Sequence, residues 1–148
     1  MRTRDENSMK LEFPARSVNE SFARSAVAAF ASQLDPTMEE LGDLKTAVSE
    51  AVTNCIVHAY PDAIGRVALH CRILKNSTLE VRVRDWGCGI DDVALALTPA
   101  FTTGGGDRSG MGFTIMESFT DGIQVRSRTG KGTTVILRKC LGRRTPRR

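Results

Sequence analysis

The chain has 148 residues, of which 41% are hydrophobic and 26% are charged, and it carries a formal net charge of +4 with a sequence pI near 9.1. This length fits one domain with a substantial hydrophobic core. No run approaches the roughly 20 apolar residues of a membrane-spanning helix, and the first residues lack the apolar centre of a signal peptide. We therefore expect a cytoplasmic protein with no membrane segment.

The excess positive charge is concentrated near the C-terminus, where six lysines and arginines occupy the last eleven residues. A short basic tail is typical of a solvated chain end, so we expect no direct contact with nucleic acid. The four cysteines form no CxxC pair, which argues against a zinc site or a disulfide framework. The expected organisation is a flexible N-terminus at residues 1–8, one domain at residues 9–140 and a basic tail at residues 141–148.

The first segment predicts a strand followed by a helix. Leu11 and Phe13 alternate with polar residues, which indicates a short strand. Ser17 and Glu20 have the spacing of a capping box, in which each side chain bonds the backbone N–H of the other residue. The helix predicted after this box carries apolar residues at helical spacing, namely Val18, Phe22, Ala26, Ala29 and Phe30.

A second, longer helix is predicted from a second capping box, formed by Thr37 and Glu40. Its apolar side chains step by three or four residues and make one stripe, which comprises Leu41, Leu44, Val48, Val52, Cys55 and Ala59. At about 100° per residue, Glu50, Asn54 and His58 share a different flank of this helix.

The remaining segments predict four strands and one more helix. Residues 67–73 and 79–83 alternate strictly and indicate a hairpin, and residues 123–137 indicate another. Between the hairpins, a glycine-rich loop over residues 90–109 leads to a helix over residues 110–119. Hairpins in place of regular βαβ alternation favour an α/β two-layer sandwich, with a mostly antiparallel sheet and helices on one face.

Several common catalytic motifs are missing from the chain. It has no GxxxxGK[ST] loop, no HExxH, no GxSxG and no GxGxxG directly after a strand. With only His58 and His70 and no paired cysteines, it offers few ligands for a transition metal.

The segment SEAVTN places Glu50 and Asn54 on adjacent turns of the second helix. An amide oxygen is a neutral, hard ligand for Mg²⁺, and a carboxylate can accept a proton. Polar residues at helical spacing usually mark a solvated face, so this pair carries little weight by itself.

A second piece, Asp85-Trp86-Gly87-Cys88-Gly89, follows a predicted strand. Glycine lets the backbone turn and lets a ligand approach closely, and a carboxylate can accept a hydrogen bond from an exocyclic amine such as that of adenine. A tight turn with a local Asp side-chain bond explains the same pattern without a ligand.

Two further pieces lie near the C-terminus. The segment Ser109-Gly110-Met111-Gly112 opens a helix whose free N–H groups suit a phosphate, and Arg108 adds a positive charge there. Thr133, in the segment GTT, could hydrogen-bond a base, although threonine is also common in strands.

Taken together and in this order, the four pieces resemble the N, G1, G2 and final Gly-Thr elements of the GHKL ATPase/kinase superfamily. Longer segments at residues 17–24, 33–41, 49–54, 84–90, 108–119 and 131–135 are similar to the anti-sigma F factor family of spore-forming bacteria, whose members are serine protein kinases. The resemblance implies a GHKL or Bergerat-type ATP-binding fold with a mixed, mostly antiparallel sheet, and it implies ATP and Mg²⁺ as cofactors.

The resemblance also implies a role for each motif residue. Glu50 would be the general base, Asn54 would bind Mg²⁺ and the nucleotide, and His58 would line the phosphate side. Asp85 would recognise the adenine amine. The turn residues and the last strand would contribute Gly87, Gly89 and Thr133, and the lid and phosphate cradle would comprise Thr102, Thr103, Arg108, Ser109, Gly110, Met111 and Gly112.

The partners implied by the resemblance are a sigma factor and a small anti-anti-sigma protein that is phosphorylated on serine. Members of the family are homodimers, and Glu20 and Arg24 would form a docking surface for both partners. From spacing alone, this pair reads as a minor helix-stabilising ion pair. Two alternatives remain: a stress-response switch kinase for another sigma factor, and a non-catalytic, nucleotide-gated binding module. A base at Glu50 argues against the second.

Overall fold

The computed structural model describes residues 5–97 and 109–142, without the side chains of residue 95 and residues 109–111. The described part contains five strands and four α-helices. The strands are β1 (Asn7–Pro14), β2 (Arg66–Leu74), β3 (Thr78–Asp85), β4 (Gly122–Arg128) and β5 (Gly132–Cys140). The helices are α1 (Val18–Ala31), α2 (Met38–Asn54), α3 (Val93–Ala96) and α4 (Ser109–Ser118). A 3₁₀ turn at Ser32–Leu34 follows α1, and α2 continues into a π-helical turn at Cys55–Ala59.

The strands form one sheet in the order β1-β2-β3-β5-β4. Every pair of neighbouring strands among the described residues is antiparallel, so the sheet is not mixed as the resemblance implied. The predicted two-layer sandwich with a mostly antiparallel sheet is confirmed, and the predicted hairpins are β2-β3 and β4-β5. The pairing of β3 with β5 sets Asp85 opposite Thr133, which brings two of the predicted site residues together.

The hydrophobic core lies between the helices and one face of the sheet. The alternating residues of β2 and β3 point into it, and α1, α2 and α4 cover it with their buried stripes. The stripe predicted for α2 is largely correct, because Leu44, Val48, Val52 and Cys55 are buried. The capping box at its start is also present, since Thr37 and Glu40 exchange their two bonds at 2.8 and 3.0 Å.

Two predictions for α1 are wrong. Ser17 makes no side-chain capping bond, because its own backbone is already helical. The apolar stripe is also misplaced: Val18 and Phe22 are 76% and 52% exposed, and the helix is buried through smaller residues, Ala23, Val27 and Ala31. Small side chains at a spacing of four let α1 pack closely on α2, and this leaves its larger apolar residues on the outside.

The opposite face of the sheet carries a charged cluster centred on Glu80, which is fully buried. Arg72, Arg82 and Arg138 donate to its two carboxylate oxygens at 2.7 to 3.0 Å. These bonds lower the pKa of Glu80 to about 2 against the cost of its burial. Arg72 and Arg138 face Glu80 across the strands, so the cluster follows from the register.

The structure also describes residues on either side of positions 9 and 140. Strand β1 begins at Asn7, and Leu141 is buried and bonds the carbonyl oxygen of Ser77 at 2.9 Å. The Gly142 N–H donates to Glu40 at 3.0 Å. Among the described residues, no helix has both the length and the apolar character needed to cross a membrane.

Candidate nucleotide site

Glu50 and Asn54 lie on the last turns of α2, where the first turn of α4 crosses them. A Cβ atom placed on Gly112 would lie 3.4 Å from Asn54 Oδ1 and 3.5 Å from Glu50 Oε1. The carboxylate, the amide and the N-terminal turn of α4 therefore meet at one point. Helix N-termini carry free N–H groups and a partial positive charge, so this point combines an anion site with a proton acceptor.

A cavity of about 430 Å³ lies beside the end of α2. It is mostly apolar, and its lining includes the polar side chains of Asn54, His58 and Asp85. The lining residues are Ala51, Asn54, Cys55, His58, Ala59, Asp85, Cys88, Gly89, Ile90, Asp91, Asp92, Ala96, Phe113, Thr133 and Val135. A mostly apolar cavity with a few polar groups suits a heterocyclic ring.

Asp85 is a buried charged residue that lines the cavity. It is buried, and its Oδ1 accepts bonds from the N–H groups of Gly87 at 2.9 Å and Thr133 at 3.2 Å. Burial raises the pKa of Asp85 above its ordinary value, and the two N–H groups and the nearby Cys55 thiol partly offset that rise. The carboxylate can therefore act as a hydrogen-bond acceptor in a mostly apolar cavity.

The glycines around Asp85 are required by close packing of the backbone. A side chain at Gly87 would overlap the carbonyl oxygen of Ala59, and one at Gly89 would overlap that of Arg128. Gly89 and Gly132 also have positive φ angles of 80° and 112°. These glycines thus let the backbone pack closely beside the cavity, which Gly89 itself lines.

Tyr60 anchors this turn and was not predicted. Its hydroxyl accepts a bond from the Trp86 N–H and donates one to the Arg66 carbonyl oxygen, both at 2.7 Å. The Cys88 N–H bonds the carbonyl oxygen of Ala59 at 3.0 Å. The turn after β3 is therefore tied to the end of the helix that carries Asn54.

Most of the predicted site residues that the structure describes are close together. Asn54, His58, Asp85, Gly89 and Thr133 line the cavity, and Gly112 lies next to Asn54 and Glu50. Ser109, Gly110 and Met111 form the first turn of α4 by their backbone. Thr102, Thr103 and Arg108 lie outside the described residues.

Other lining residues were missed at the sequence level. Cys55 was predicted only as part of an apolar stripe, and Phe113 only as part of the helix over residues 110–119, although each borders the cavity. Neither prediction gave a reason to choose them, but their positions next to Asn54 and Gly112 offered a signal.

The described residues around the cavity offer Mg²⁺ few protein ligands. The described residues contain no group of three or more His, Cys, Asp or Glu side chains able to hold a metal. Asn54 lines the cavity, and its Oδ1 is a neutral oxygen next to Gly112. This fits an ion held mainly by phosphate and water with one protein ligand, which is a common arrangement for Mg²⁺.

Glu20 and Arg24 lie on α1, away from the cavity. They form an i,i+4 ion pair at 3.2 Å, as their spacing predicts. The exposed side chains of Val18 and Phe22 belong to the same helix but, at about 100° per residue, they lie on the side opposite this ion pair.

Comparisons with known proteins agree with this geometry. The family model described as a histidine kinase-like ATPase domain matches residues 13–139. The anti-sigma F factor of Caldanaerobacter subterraneus subsp. tengcongensis is 54% identical over 138 residues, which cover 93% of this chain and 96% of the relative. The anti-sigma F factor of Clostridium acetobutylicum is 52% identical over 135 residues, which cover 90% and 94%.

Solved structures show the same fold at lower identity. A Mycobacterium tuberculosis protein with RsbU and RsbW domains superposes with a TM-score of 0.65 at 15% identity, over 91% of this chain and 32% of that one. The mycobacterial sensor histidine kinase MprB gives a TM-score of 0.57 at 16% identity, over 87% and 97%. At these identities the likeness supports the fold alone.

Proposed function

Because this chain belongs to the anti-sigma F factor family and carries a histidine kinase-like ATPase domain, we propose that it binds and inhibits a sporulation sigma factor of the sigma F type. We further propose that it uses Mg-ATP to phosphorylate an anti-anti-sigma protein on serine. The observation that carries the kinase proposal is that Glu50 and Asn54 meet the first turn of α4 beside a cavity that Asn54 and Asp85 line.

Asp85 and the start of α4 support binding of ATP in one orientation. Asp85 accepts a hydrogen bond from the adenine amine, and the apolar walls hold the ring. The N–H groups at the start of α4 receive phosphate oxygens, and the absence of a side chain at Gly112 lets them approach. Phosphoryl transfer depends mainly on positioning and on neutralising charge, and this arrangement provides for both.

Glu50 is suited to act as the general base. A glutamate carboxylate can orient an incoming seryl hydroxyl and take its proton. Asn54 Oδ1 is the protein ligand offered to Mg²⁺. When bound, that ion would neutralise negative charge on the phosphates.

The kinase proposal is tested by incubating the purified protein with labelled ATP, Mg²⁺ and the candidate anti-anti-sigma protein from the same genome. We expect label on serine, and we expect Glu50→Gln to bind ATP but to transfer at least about a hundredfold more slowly. The control is Glu117→Gln, an exposed residue of α4. A Glu50→Gln protein with near-normal transfer would disprove the base assignment. ATP binding and sigma factor binding without transfer would instead indicate the non-catalytic module.

The surface of α1 supports a second part of the proposal, which is docking of protein partners. Glu20 and Arg24 form a partly exposed ion pair on α1, and arginine is enriched in protein interfaces. We expect Arg24→Ala to weaken binding of the sigma factor and of the anti-anti-sigma protein, measured by calorimetry. Arg128→Ala, on the exposed end of β4, is the matched control. Unchanged affinity for both partners would reduce the pair to a helix-stabilising contact. The assembly expected from the family is a homodimer.

A further inference from the structure

Ser127 lies on β4, directly opposite Thr133 of β5, and the proposed function gives it no role. Its side chain is half-buried. Its Oγ lies within hydrogen-bond distance of three groups: the Ile90 N–H at 2.7 Å, Thr133 Oγ1 at 2.8 Å and the Gly132 carbonyl oxygen at 3.1 Å. Ile90 and Thr133 both line the cavity. One hydroxyl group therefore contacts two parts of the cavity lining.

The three contacts of Ser127 determine where two hydroxyl protons lie. A hydroxyl group has one proton to donate and two lone pairs with which to accept. The Ile90 N–H can only donate, so it occupies one lone pair of Ser127 Oγ, and the Gly132 carbonyl can only accept, so it takes the Ser127 proton. The lone pair that remains on Ser127 can bond Thr133 only if Thr133 is the donor. The opposite assignment would leave the oxygens of Ser127 and Gly132 at 3.1 Å with no proton between them.

This assignment leaves the Thr133 hydroxyl with lone pairs alone. Because its only proton is given to Ser127, it can accept a hydrogen bond from a molecule in the cavity but cannot donate one. The neighbouring acceptor is the Asp85 carboxylate, whose Oδ1 is bonded by the Thr133 N–H at 3.2 Å. Two adjacent acceptors favour a ring edge that carries an amine, and they disfavour a carbonyl oxygen at the same place, because the carbonyl would leave them unpaired.

We propose that Ser127 is a positioning residue for base recognition, which takes the Thr133 proton and thereby makes the cavity select a purine with an exocyclic amine over one with an exocyclic carbonyl. This inference rests on the proposed binding of ATP in the cavity. Ser127 does not touch the base in this arrangement, and it acts through the hydroxyl of Thr133.

Thr129 provides a matched comparison. Its hydroxyl donates to Asp91 Oδ1 at 2.6 Å, so it joins the chain after β3 to the turn between β4 and β5. Ser127 makes a similar connection through the Ile90 N–H. Removing either hydroxyl loosens the same segment of the cavity lining, but only removal of the Ser127 hydroxyl releases the Thr133 proton.

The test measures affinities for ATP and for inosine triphosphate by calorimetry. Inosine triphosphate carries a carbonyl oxygen at the ring position where ATP carries its amine. In Ser127→Ala the Thr133 hydroxyl can turn and donate to that carbonyl, so we expect the ratio of ATP affinity to inosine triphosphate affinity to fall by about tenfold. Ser127→Thr keeps the hydroxyl and should stay within about twofold of the wild-type ratio. Thr129→Ala should weaken both nucleotides alike and leave the ratio unchanged.

A double-mutant cycle separates the proton from the packing. Thr133→Val replaces the hydroxyl by a methyl group of similar size, and by itself it should also lower the ratio because one acceptor is lost. In this background Ser127→Ala should change the ratio by less than about twofold, since no Thr133 proton is left to redirect.

Three results would overturn the assignment: a folded Ser127→Ala protein with the wild-type ratio, an effect of Ser127→Ala that persists in full beside Thr133→Val, and a Thr129→Ala protein whose ratio falls as far as that of Ser127→Ala. If Ser127→Ala does not fold, Thr133→Val decides, because a wild-type ratio there would show that Thr133 does not select. A wild-type protein that binds both nucleotides equally would overturn this selectivity alone. One that binds neither would overturn the proposed function itself.

Discussion

Replacing Gly112 by alanine should raise folding stability and weaken nucleotide binding. Gly112 is inside α4, and the added methyl would lie 3.4 Å from Asn54 Oδ1 and 3.5 Å from Glu50 Oε1. These are ordinary contacts, so the chain tolerates the methyl. Alanine favours a helix over glycine by up to about 1 kcal/mol, which raises the melting temperature by about 2–4 °C in a domain of this size.

The same methyl fills the gap through which a phosphate would approach. An oxygen needs roughly 3.3 Å from a carbon, and the methyl already touches both side chains. Losing one hydrogen bond to a charged phosphate costs about 2 kcal/mol, or about thirtyfold in ATP affinity. Gly42→Ala is the control, because nothing lies within 4 Å of its added methyl, and it should gain stability without losing affinity. A Gly112→Ala protein with wild-type ATP affinity would refute the placement of the phosphate.

Three further predictions follow from the hydrogen bonds. Glu80→Gln should lower the free energy of unfolding in urea by about 3 kcal/mol at pH 7. This loss of stability should shrink as the pH falls from 4.5 towards about 2, because a lowered pKa stabilises the fold only while the carboxylate is ionised. A loss independent of pH would contradict this. As the pH is lowered, ATP affinity should begin to fall above pH 3.8, the ordinary pKa of an aspartate, because the raised pKa of Asp85 lets it take up a proton earlier. An ATP affinity that stays constant down to pH 3.8 would exclude Asp85 as the acceptor. Tyr60→Phe should cost about 1–3 kcal/mol in thermal unfolding and weaken ATP binding, because the Trp86 N–H loses its partner; a change below about 0.5 kcal/mol would contradict the anchor.

The sequence predicted the elements better than the details of their ends. Thr37 and Ser17 have the same capping-box spacing, yet only Thr37 caps its helix. Thr37 has extended backbone angles of −70° and 164°, whereas Ser17 is already helical at −59° and −32°, which turns its hydroxyl away from the free N–H groups. Residue types at a spacing do not specify the dihedral angles of the first residue, and the preceding chain decides them.

The choice of face on α1 failed for a related reason. Val18 and Phe22 fit a helical period as well as Ala23 and Val27 do, and hydrophobicity favours the larger pair. Packing against α2 selected the smaller pair, since closeness of approach depends on side-chain size. A larger exposed apolar residue then remains available to partners, which the periodicity could not distinguish from a core residue.

The arrangement of charged side chains in the domain depends on the strand register more than on composition. Summed along the chain, the body of the domain is near neutral once the basic tail is set aside. The alternation of β2, β3 and β5 nevertheless places Arg72, Arg82 and Arg138 on one face around Glu80. A buried acid can be held there only because three guanidinium groups satisfy it, and no count of residues predicts that arrangement.

The site itself depends on the same topology. Asp85 ends β3 and Thr133 lies near the start of β5, 48 residues later, yet they pair directly because the sheet inserts β5 between β3 and β4. A sheet that followed chain order would have paired β3 with β4 and separated the two residues. The crossing of α4 over α2 then brings Gly112 to Glu50 and Asn54. Motifs that are separate in the sequence thus meet because of this strand order and this helix crossing. Order and spacing located the motifs along the chain, but they could not predict the contacts, such as those of Tyr60, that hold them together.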